Sequence, residues 1–173
     1  MAMSLNKFRW LRRIIVGIRR AYLRKVWRMD IHPTAEMSLT AKFDMTHPQG
    51  IHVGAYSYVA FNARLLAHDM TRNIRRETYV GENCFIGGQS LVMPGVRIGN
   101  GCIVGAGSVV TKSVPDNCIV AGNPAVILQR NVRLLTYGRF DPEWVREMAM
   151  AKAKAKATAE TDEDADRSYL AAT

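Results

Sequence analysis

The chain has 173 residues, 48% of them hydrophobic and 23% charged, so it can bury a core and lacks the composition of a disordered protein. Its net charge is +9, but residues 1–30 hold nine basic residues against one acid and the rest is nearly neutral. A generally basic nucleic-acid-binding domain is thereby excluded, whereas a basic N-terminal arm is not.

No apolar run approaches the roughly 20 residues of a membrane-spanning helix. No small-residue cleavage site follows the first apolar stretch, so we expect a cytoplasmic protein.

The N-terminal segment, residues 5–29, is predicted to form a basic amphipathic helix. Its apolar positions recur every three or four residues, and arginines fill the opposite side; the apolar series is Phe8, Leu11, Ile15, Ile18, Tyr22, Val26 and Met29. Together with Trp10 and Trp27, this pattern suits the surface of an anionic membrane. The other interpretation is a helix packed on the end of the following domain with its arginines in water. We expect no nucleic-acid partner.

A six-residue repeat occupies the middle of the chain. β-Branched aliphatic residues stand at every sixth position, namely Val80, Ile86, Val92, Ile98, Val104 and Val110, and glycine follows four of them. Three such units form one triangular coil of short strands and tight turns, with the aliphatic side chains inside. The step extends upstream to Ile31 and, after a slip of four residues, downstream to Val126. Residues 31–127 therefore predict an all-β prism of about five coils.

Two interruptions stand out in this repeat. Four extra residues lie between Phe43 and Val53, and three extra residues lie between Leu65 and Val80. The second interruption predicts a protruding loop over residues 69–79.

The three cysteines fall on the small inward position of the repeat, which favours a structural role; they are Cys84, Cys102 and Cys118.

The C-terminal part is predicted to be a helical extension over residues 131–157. Asp141 and Pro142 are typical of a helix start, since aspartate caps and proline fits the first turn. The acidic tail is predicted to be disordered. The predicted division of the chain is 1–30, 31–130, 131–157 and 158–173.

Four strings resemble the hexapeptide-repeat acyltransferase superfamily: YVGENCFIGG from Tyr79, VMPGVRIG from Val92, VGAGSVVTKSVP from Val104 and AGNPA from Ala121. The resemblance covers residues 31–130, and within the superfamily the chain looks most like bacterial sugar and polysaccharide O-acetyltransferases. It implies a left-handed parallel β-helix, here with an N-terminal amphipathic helix and a short C-terminal helix. It also implies acetyl-coenzyme A as co-substrate and a homotrimer with an active site at each subunit boundary.

Acetyl transfer to a hydroxyl needs a base, and histidine is the natural base near neutral pH. His68 is the histidine at the second interruption of the repeat, at the root of the predicted loop, whereas His47 lies at the four-residue insertion. Because superfamily enzymes place their catalytic histidine just before such a loop, the resemblance assigns this role to His68. Its orienting partner is left open between Asp69, Asp44 and a main-chain carbonyl. The histidines given structural roles are His32, His47 and His52.

The resemblance assigns acetyl-coenzyme A binding to Gly88, Ala106, Thr111, Lys112 and Arg130. Gly88 and Ala106 are 18 residues apart, so they stack on successive coils, where small residues let main-chain amides approach the pantetheine arm. Lys112 and Arg130 can meet a coenzyme A phosphate. No metal is expected, because the zinc enzymes on this fold need three histidines, two of them closely spaced, and none follows His68.

The predicted function is an acetyl-coenzyme A-dependent O-acetyltransferase that modifies a sugar hydroxyl in surface polysaccharide or glycolipid biosynthesis. We expect it in the cytoplasm, with residues 5–29 at the inner face of the membrane. Three alternatives are left open. They are amino-sugar N-acetylation, serine acetylation and a non-catalytic membrane-associated scaffold. The second is suggested by the string Asp30-Ile-His-Pro, which resembles serine acetyltransferases.

Overall fold

The computed structural model describes residues 9–153, and the predictions for residues 1–8 and 154–173 lie outside this range. The chain forms two compact units, divided between Arg139 and Phe140. The second unit contains a helix over residues 142–153, close to its predicted start. In this unit the rings of Phe140 and Trp144 stack with centroids 5.7 Å apart.

The first unit begins with helix α1 (Arg9–Lys25) and continues as short strands, most of which follow the six-residue step. The strands are β1 (Asp30–Ile31), β2 (Glu36–Met37), β3 (Lys42–Phe43), β4 (Ile51–Val53), β5 (Tyr58–Val59), β6 (Arg64–Leu65), β7 (His68–Asp69), β8 (Ile74–Arg75), β9 (Thr78–Val80), β10 (Phe85–Ile86), β11 (Leu91–Val92), β12 (Arg97–Ile98), β13 (Ile103–Val104), β14 (Val109–Val110), β15 (Ile119–Gly122), β16 (Ala125–Gln129), β17 (Leu134–Leu135) and β18 (Arg139–Phe140).

Three parallel sheets form the faces of the predicted prism. Face A consists of β1, β4, β9 and β12, face B contains β2, β5, β10, β13 and β15, and face C consists of β3, β6, β11 and β14. Each coil thus gives one strand to each face. The aliphatic residues of one face stack in register and are buried, as on face A: Ile31, Val53, Val80 and Ile98. The three cysteines are free and buried inside, as their small inward positions predict.

The repeat ends earlier than its spacing predicts. Val114 still bridges to Ile98 and Val120 is buried on β15, but Val126 is 58% exposed. The reason is that β16 turns back and pairs antiparallel with β15, so its side chains leave the interior of the prism. The prism therefore has four complete coils and a partial fifth. Residues 131–141 then form β17 and β18 around a short 3-10 turn at Thr136–Gly138.

Helix α1 packs on the first coil through a face that its apolar periodicity does not predict. Val16 and Leu23 are buried there, and Arg19 lies between them on the same side. The Arg19 guanidinium donates hydrogen bonds of 2.5–2.8 Å to the carbonyls of Ser38, Leu39 and Ala41. Arg20 likewise donates to the carbonyl of Ala35 at 2.7 Å. Packing on the prism end is thus found, but these two arginines are part of the contact.

The predicted apolar side of α1 is exposed, with Trp10 at 63% and Ile18 at 66%. The end of the prism offers unpaired carbonyls, which a guanidinium satisfies and an aliphatic side chain cannot. The helix also ends at Lys25, before the predicted limit at residue 29. Within residues 9–153, no helix combines the length and hydrophobicity that crossing a bilayer requires.

Candidate active site

Both interruptions of the repeat leave the prism at the same corner, between face C and face A. Phe43 and Leu65 are neighbours on β3 and β6, so the segments that follow them project from adjacent coils. The first segment, residues 44–50, ends in a short 3-10 turn. The second segment is a hairpin in which β7 pairs antiparallel with β8. The predicted loop is therefore a short hairpin, and its last two residues already belong to β9.

A hydrogen-bonded pair, His68 and Asp44, lies where these two segments meet. The distance from His68 Nδ1 to Asp44 Oδ2 is 2.5 Å. The same oxygen accepts the backbone N–H groups of Ala67 and His68 at 2.7 and 2.9 Å. Asp44 Oδ1 accepts those of Thr46 and His47 at 2.8 and 3.3 Å. The carboxylate side chain is 1% exposed and the imidazole 24%, so the pair presents only its imidazole to solvent.

The charge state of Asp44 follows from these contacts. Burial by itself raises the pKa of Asp44, but the hydrogen bonds from Ala67, His68, Thr46 and His47 outweigh it and hold the pKa below its ordinary value. Asp44 is therefore ionised at neutral pH, and His68 Nδ1 carries the hydrogen of the bond between them. In the neutral imidazole this leaves Nε2 as an unprotonated acceptor. A carboxylate that fixes the tautomer of an accessible histidine is an arrangement suited to general-base catalysis.

Two open clefts flank the imidazole of His68. One, of about 450 Å³, lies against the hairpin and includes Thr46, Asn73 and Arg75. The other, of about 380 Å³, lies on face C. The imidazole lines both clefts, so a molecule in either can reach it.

Thr111 and Lys112 lie on the same corner of the prism as His68. They directly follow β14, which is two strands away from β6 on face C, with β11 between them. Two interstrand spacings place them roughly 10 Å along the prism from the coil of His68. Both residues are exposed.

Gly88 and Ala106 lie on a different corner, between faces B and C, because they follow β10 and β13. Gly88 is covered by Phe61, and a Cβ added to it would lie 2.6 Å from the Phe61 ring. A larger residue at position 88 would therefore displace the Phe61 ring. Ala106 is exposed, as is Arg130, which follows β16 outside the parallel coils. One subunit therefore does not bring all the predicted site residues together.

The sequence left the partner of His68 open, and the structure identifies it as Asp44. The neighbouring Asp69 instead accepts hydrogen bonds from Thr71 and the backbone N–H of Arg72. A signal was available in the spacing. Because Phe43 and Leu65 both end the third strand of a coil, the residues that follow them must share a corner.

The other three histidines have contacts of their own. His32 Nδ1 lies 2.9 Å from the Thr34 hydroxyl. His52 lies 3.1 Å from Asp30 and stacks on Tyr79 with ring centroids 4.1 Å apart. The ring of His47 packs close to Gly50. Among residues 9–153, no group of three or more histidine, cysteine or acidic side chains is arranged to hold a metal ion.

Sequence comparisons place the chain among known transferases. The family described as "Bacterial transferase hexapeptide (six repeats)" matches residues 77–112. The Bacillus subtilis (strain 168) protein named "Putative acetyltransferase YvoF" is 32% identical over 115 residues, covering 65% of this chain and 67% of that protein. The galactoside O-acetyltransferase of Lactococcus lactis subsp. lactis (strain IL1403) is 30% identical over 101 residues, covering 52% of this chain and 49% of that enzyme. The chain thus spans two thirds of one relative and half of the other.

Solved structures agree on the fold. The maltose O-acetyltransferase from Clostridium difficile 630 has a TM-score of 0.52 at 23% identity, over 65% of this chain and 74% of that one. The hexapeptide-repeat acetyltransferase VCA0836 of Vibrio cholerae O1 biovar eltor, solved with acetyl-coenzyme A, has a TM-score of 0.50 at 22% identity, over 65% and 76%. The predicted left-handed parallel β-helix is confirmed. The chain belongs to the hexapeptide-repeat family of bacterial transferases, and its enzyme class is acetyltransferase.

Asp44→Asn should weaken the pH dependence of stability. The depressed pKa of Asp44 means that its ionised form stabilises the fold above about pH 4, and this contribution is lost as the pH falls through the folded-state pKa. Urea unfolding from neutral to acid pH should therefore show a smaller loss for the variant than for the wild type. Its stability at neutral pH should be lower, because the amide replaces one acceptor oxygen by a donor. Asp30→Asn, whose side chain is 79% exposed, is the control, and equal acid losses in all three proteins would contradict the assignment.

Proposed function

We propose that this protein is an acetyl-coenzyme A-dependent O-acetyltransferase that acetylates a sugar hydroxyl in surface polysaccharide or glycolipid biosynthesis. The observation that carries the proposal is the Asp44–His68 pair, with its imidazole between two clefts at the break in the repeat. The acetyltransferase names of the relatives support the acetyl donor. The galactoside O-acetyltransferase among them supports a sugar hydroxyl as acceptor.

In the proposed reaction, His68 Nε2 takes the proton of the acceptor hydroxyl as its oxygen attacks the thioester carbonyl carbon. A C–O bond forms, and the tetrahedral oxyanion then collapses with cleavage of the C–S bond. The leaving thiolate of coenzyme A takes the proton from the imidazolium, which restores the neutral base. Asp44 keeps Nε2 directed at the acceptor and stabilises the imidazolium while it exists.

The pair also favours this reaction over two of the alternatives, amino-sugar N-acetylation and a non-catalytic scaffold. A free amine is already nucleophilic and needs less from a base, whereas a hydroxyl must lose its proton as it attacks. A scaffold without catalytic activity would have no use for a buried carboxylate that orients a partly exposed imidazole. O-acetylation is therefore the activity that the geometry supports best.

We propose that the working enzyme is a homotrimer with its sites between subunits. Support comes from the separation of the predicted residues, since Gly88 and Ala106 lie on one corner and His68 on another. In the trimer, the corner that binds acetyl-coenzyme A on one subunit would face His68 of the next. Lys112, Thr111 and Arg130 keep their proposed roles at the cofactor.

We also propose that α1 holds the protein at the inner, anionic face of the cytoplasmic membrane, as part of residues 5–29. The helix contains seven basic residues and no acidic one. Its side turned away from the first coil carries large apolar residues that are exposed: Trp10, Leu11, Ile14, Ile15, Ile18 and Tyr22. Apolar side chains flanked by arginines are typical of a helix that lies in the interface of an anionic bilayer.

His68→Ala should lower turnover about 10²–10⁴-fold, the usual effect of losing a general base. Release of free thiol from acetyl-coenzyme A, with a panel of sugar acceptors, measures it. The KM for acetyl-coenzyme A should change little, because no proposed contact with the cofactor involves His68. His32→Ala is the control and should keep most activity. Near-normal turnover of His68→Ala, with another histidine variant inactive, would show that the base is elsewhere.

Two inactive variants should restore activity when they assemble together. His68→Ala removes the base, and Ala106→Trp blocks the proposed cofactor corner at an exposed position. In a mixed trimer, some interfaces combine an intact His68 with an intact Ala106, so activity should return after refolding the two variants together. Light scattering should give the mass of a trimer at micromolar concentration. A stable monomer, or a mixture that stays inactive, would refute the shared site.

Substitutions on the exposed side of α1 should abolish membrane binding without unfolding the prism. The full-length protein should sediment with vesicles of phosphatidylglycerol and phosphatidylcholine, and less at high salt, which screens the attraction. The variant Ile14→Ser/Ile18→Ser should stay in solution, while Ile127→Ser on β16 serves as control. Equal sedimentation of the two variants would exclude α1 as the contact.

A further inference from the structure

The cleft on face C carries two cations beside the proposed base. Lys42 and Arg64 line it together with Met45, Leu66 and His68. Lys42 and Arg64 are register neighbours on β3 and β6, and both are exposed. Their backbones are therefore one interstrand spacing, about 4.8 Å, apart on the outer side of the sheet.

Nothing in the described chain compensates these two charges. Within residues 9–153, Asp30 pairs with His52, Asp44 with His68 and Asp69 with Arg72, and neither Lys42 nor Arg64 forms an ion pair. Asp44 is the carboxylate that lines the cleft, but it is buried, and both of its oxygens already accept hydrogen bonds. Like charges directly opposite on neighbouring strands are unfavourable. An anion bound between them would remove this repulsion.

The position of the two cations points to the acceptor rather than to acetyl-coenzyme A. Lys42 and Arg64 belong to the first and second coils, the coils that also supply Asp44 and His68. Lys112, the proposed contact for coenzyme A, follows the third strand of the fourth coil. Along the prism, Lys42 thus lies one coil before His68 and Arg64 lies on its coil, whereas Lys112 lies two coils beyond it.

We propose that the acceptor is an anionic carbohydrate whose phosphate or carboxylate group binds between Lys42 and Arg64. The guanidinium provides a paired set of donors for such a group, and the ammonium adds a point charge. With its anionic group held there, the sugar lies across the cleft and one hydroxyl reaches His68 Nε2. The exposed side chain of Met45 gives the apolar side of the sugar ring a surface to lie on. This inference rests on the proposed O-acetyltransferase function.

The test compares neutral and anionic acceptors that share one sugar ring: methyl galactoside, galactose 1-phosphate and galacturonic acid. Thiol release should give the wild type a kcat/KM for at least one anionic acceptor about tenfold or more above that for methyl galactoside, the size of one charge-assisted hydrogen bond. The variant Lys42→Met/Arg64→Met should lose this preference through a higher KM for the anionic sugar. Its kcat/KM with methyl galactoside should change far less than that with the anionic sugar, and the single variant Arg64→Lys should keep part of the preference.

Lys112→Met provides the contrast, since it should raise the KM for acetyl-coenzyme A and leave acceptor preference alone. Equal kcat/KM of the wild type for all three sugars would overturn the proposal. A raised KM for acetyl-coenzyme A in the double variant would overturn it too, because the cations would then serve the donor. Calorimetric binding of galactose 1-phosphate to the wild type and the double variant separates the two hypotheses. Binding that depends on the cations, without thiol release, would leave the anion site standing and refute the O-acetyltransferase.

Discussion

The structure depends on backbone hydrogen bonds that join each coil of the prism to its neighbours. N–H groups donate forward, as from Ser38 to Val59 at 2.8 Å, and backward, as from Asn83 to Ala55 at 2.9 Å. The first coil has no preceding coil, so part of its backbone has no partner strand. The guanidinium of Arg19 donates to three of its carbonyls, which fixes the rotation of α1 on the prism end. The apolar side of the helix is turned outward as a consequence.

A regular prism also explains where the chemistry is found. Each coil repeats the one before it, whereas the His68–Asp44 pair stands where the repeat is broken, because both long interruptions fall on one corner. Asp44 comes from the first and His68 from the second, and the carboxylate is locked by four backbone N–H groups. The coils thus hold the proposed base in a defined orientation, which catalysis requires of such a group.

Sequence spacing predicted the coils, the buried aliphatic positions and the place of His68, because each depends on a strict period. It did not predict which side of α1 meets the prism, since apolar periodicity assumes an apolar partner and the partner here is a row of carbonyls. It did not predict that Val126 lies outside the interior of the prism, because β16 keeps the aliphatic spacing while the chain reverses its direction. The pairing of Asp44 with His68 joins residues 24 positions apart; the spacing places both at one corner, but the choice between Asp44 and Asp69 required the side-chain contacts.

The same coil-to-coil hydrogen bonding makes an uncovered prism a template for unlimited growth. Both ends of a bare prism expose unpaired backbone groups, so two such prisms could stack end to end and continue as a fibre. In this chain α1 covers the first coil, and the reversed strand β16 pairs with the last strand of face B. The two terminal elements thus limit the length of the assembly. Removing α1 would expose the unpaired backbone groups of the first coil to pairing with other chains, and it would also remove positive charge.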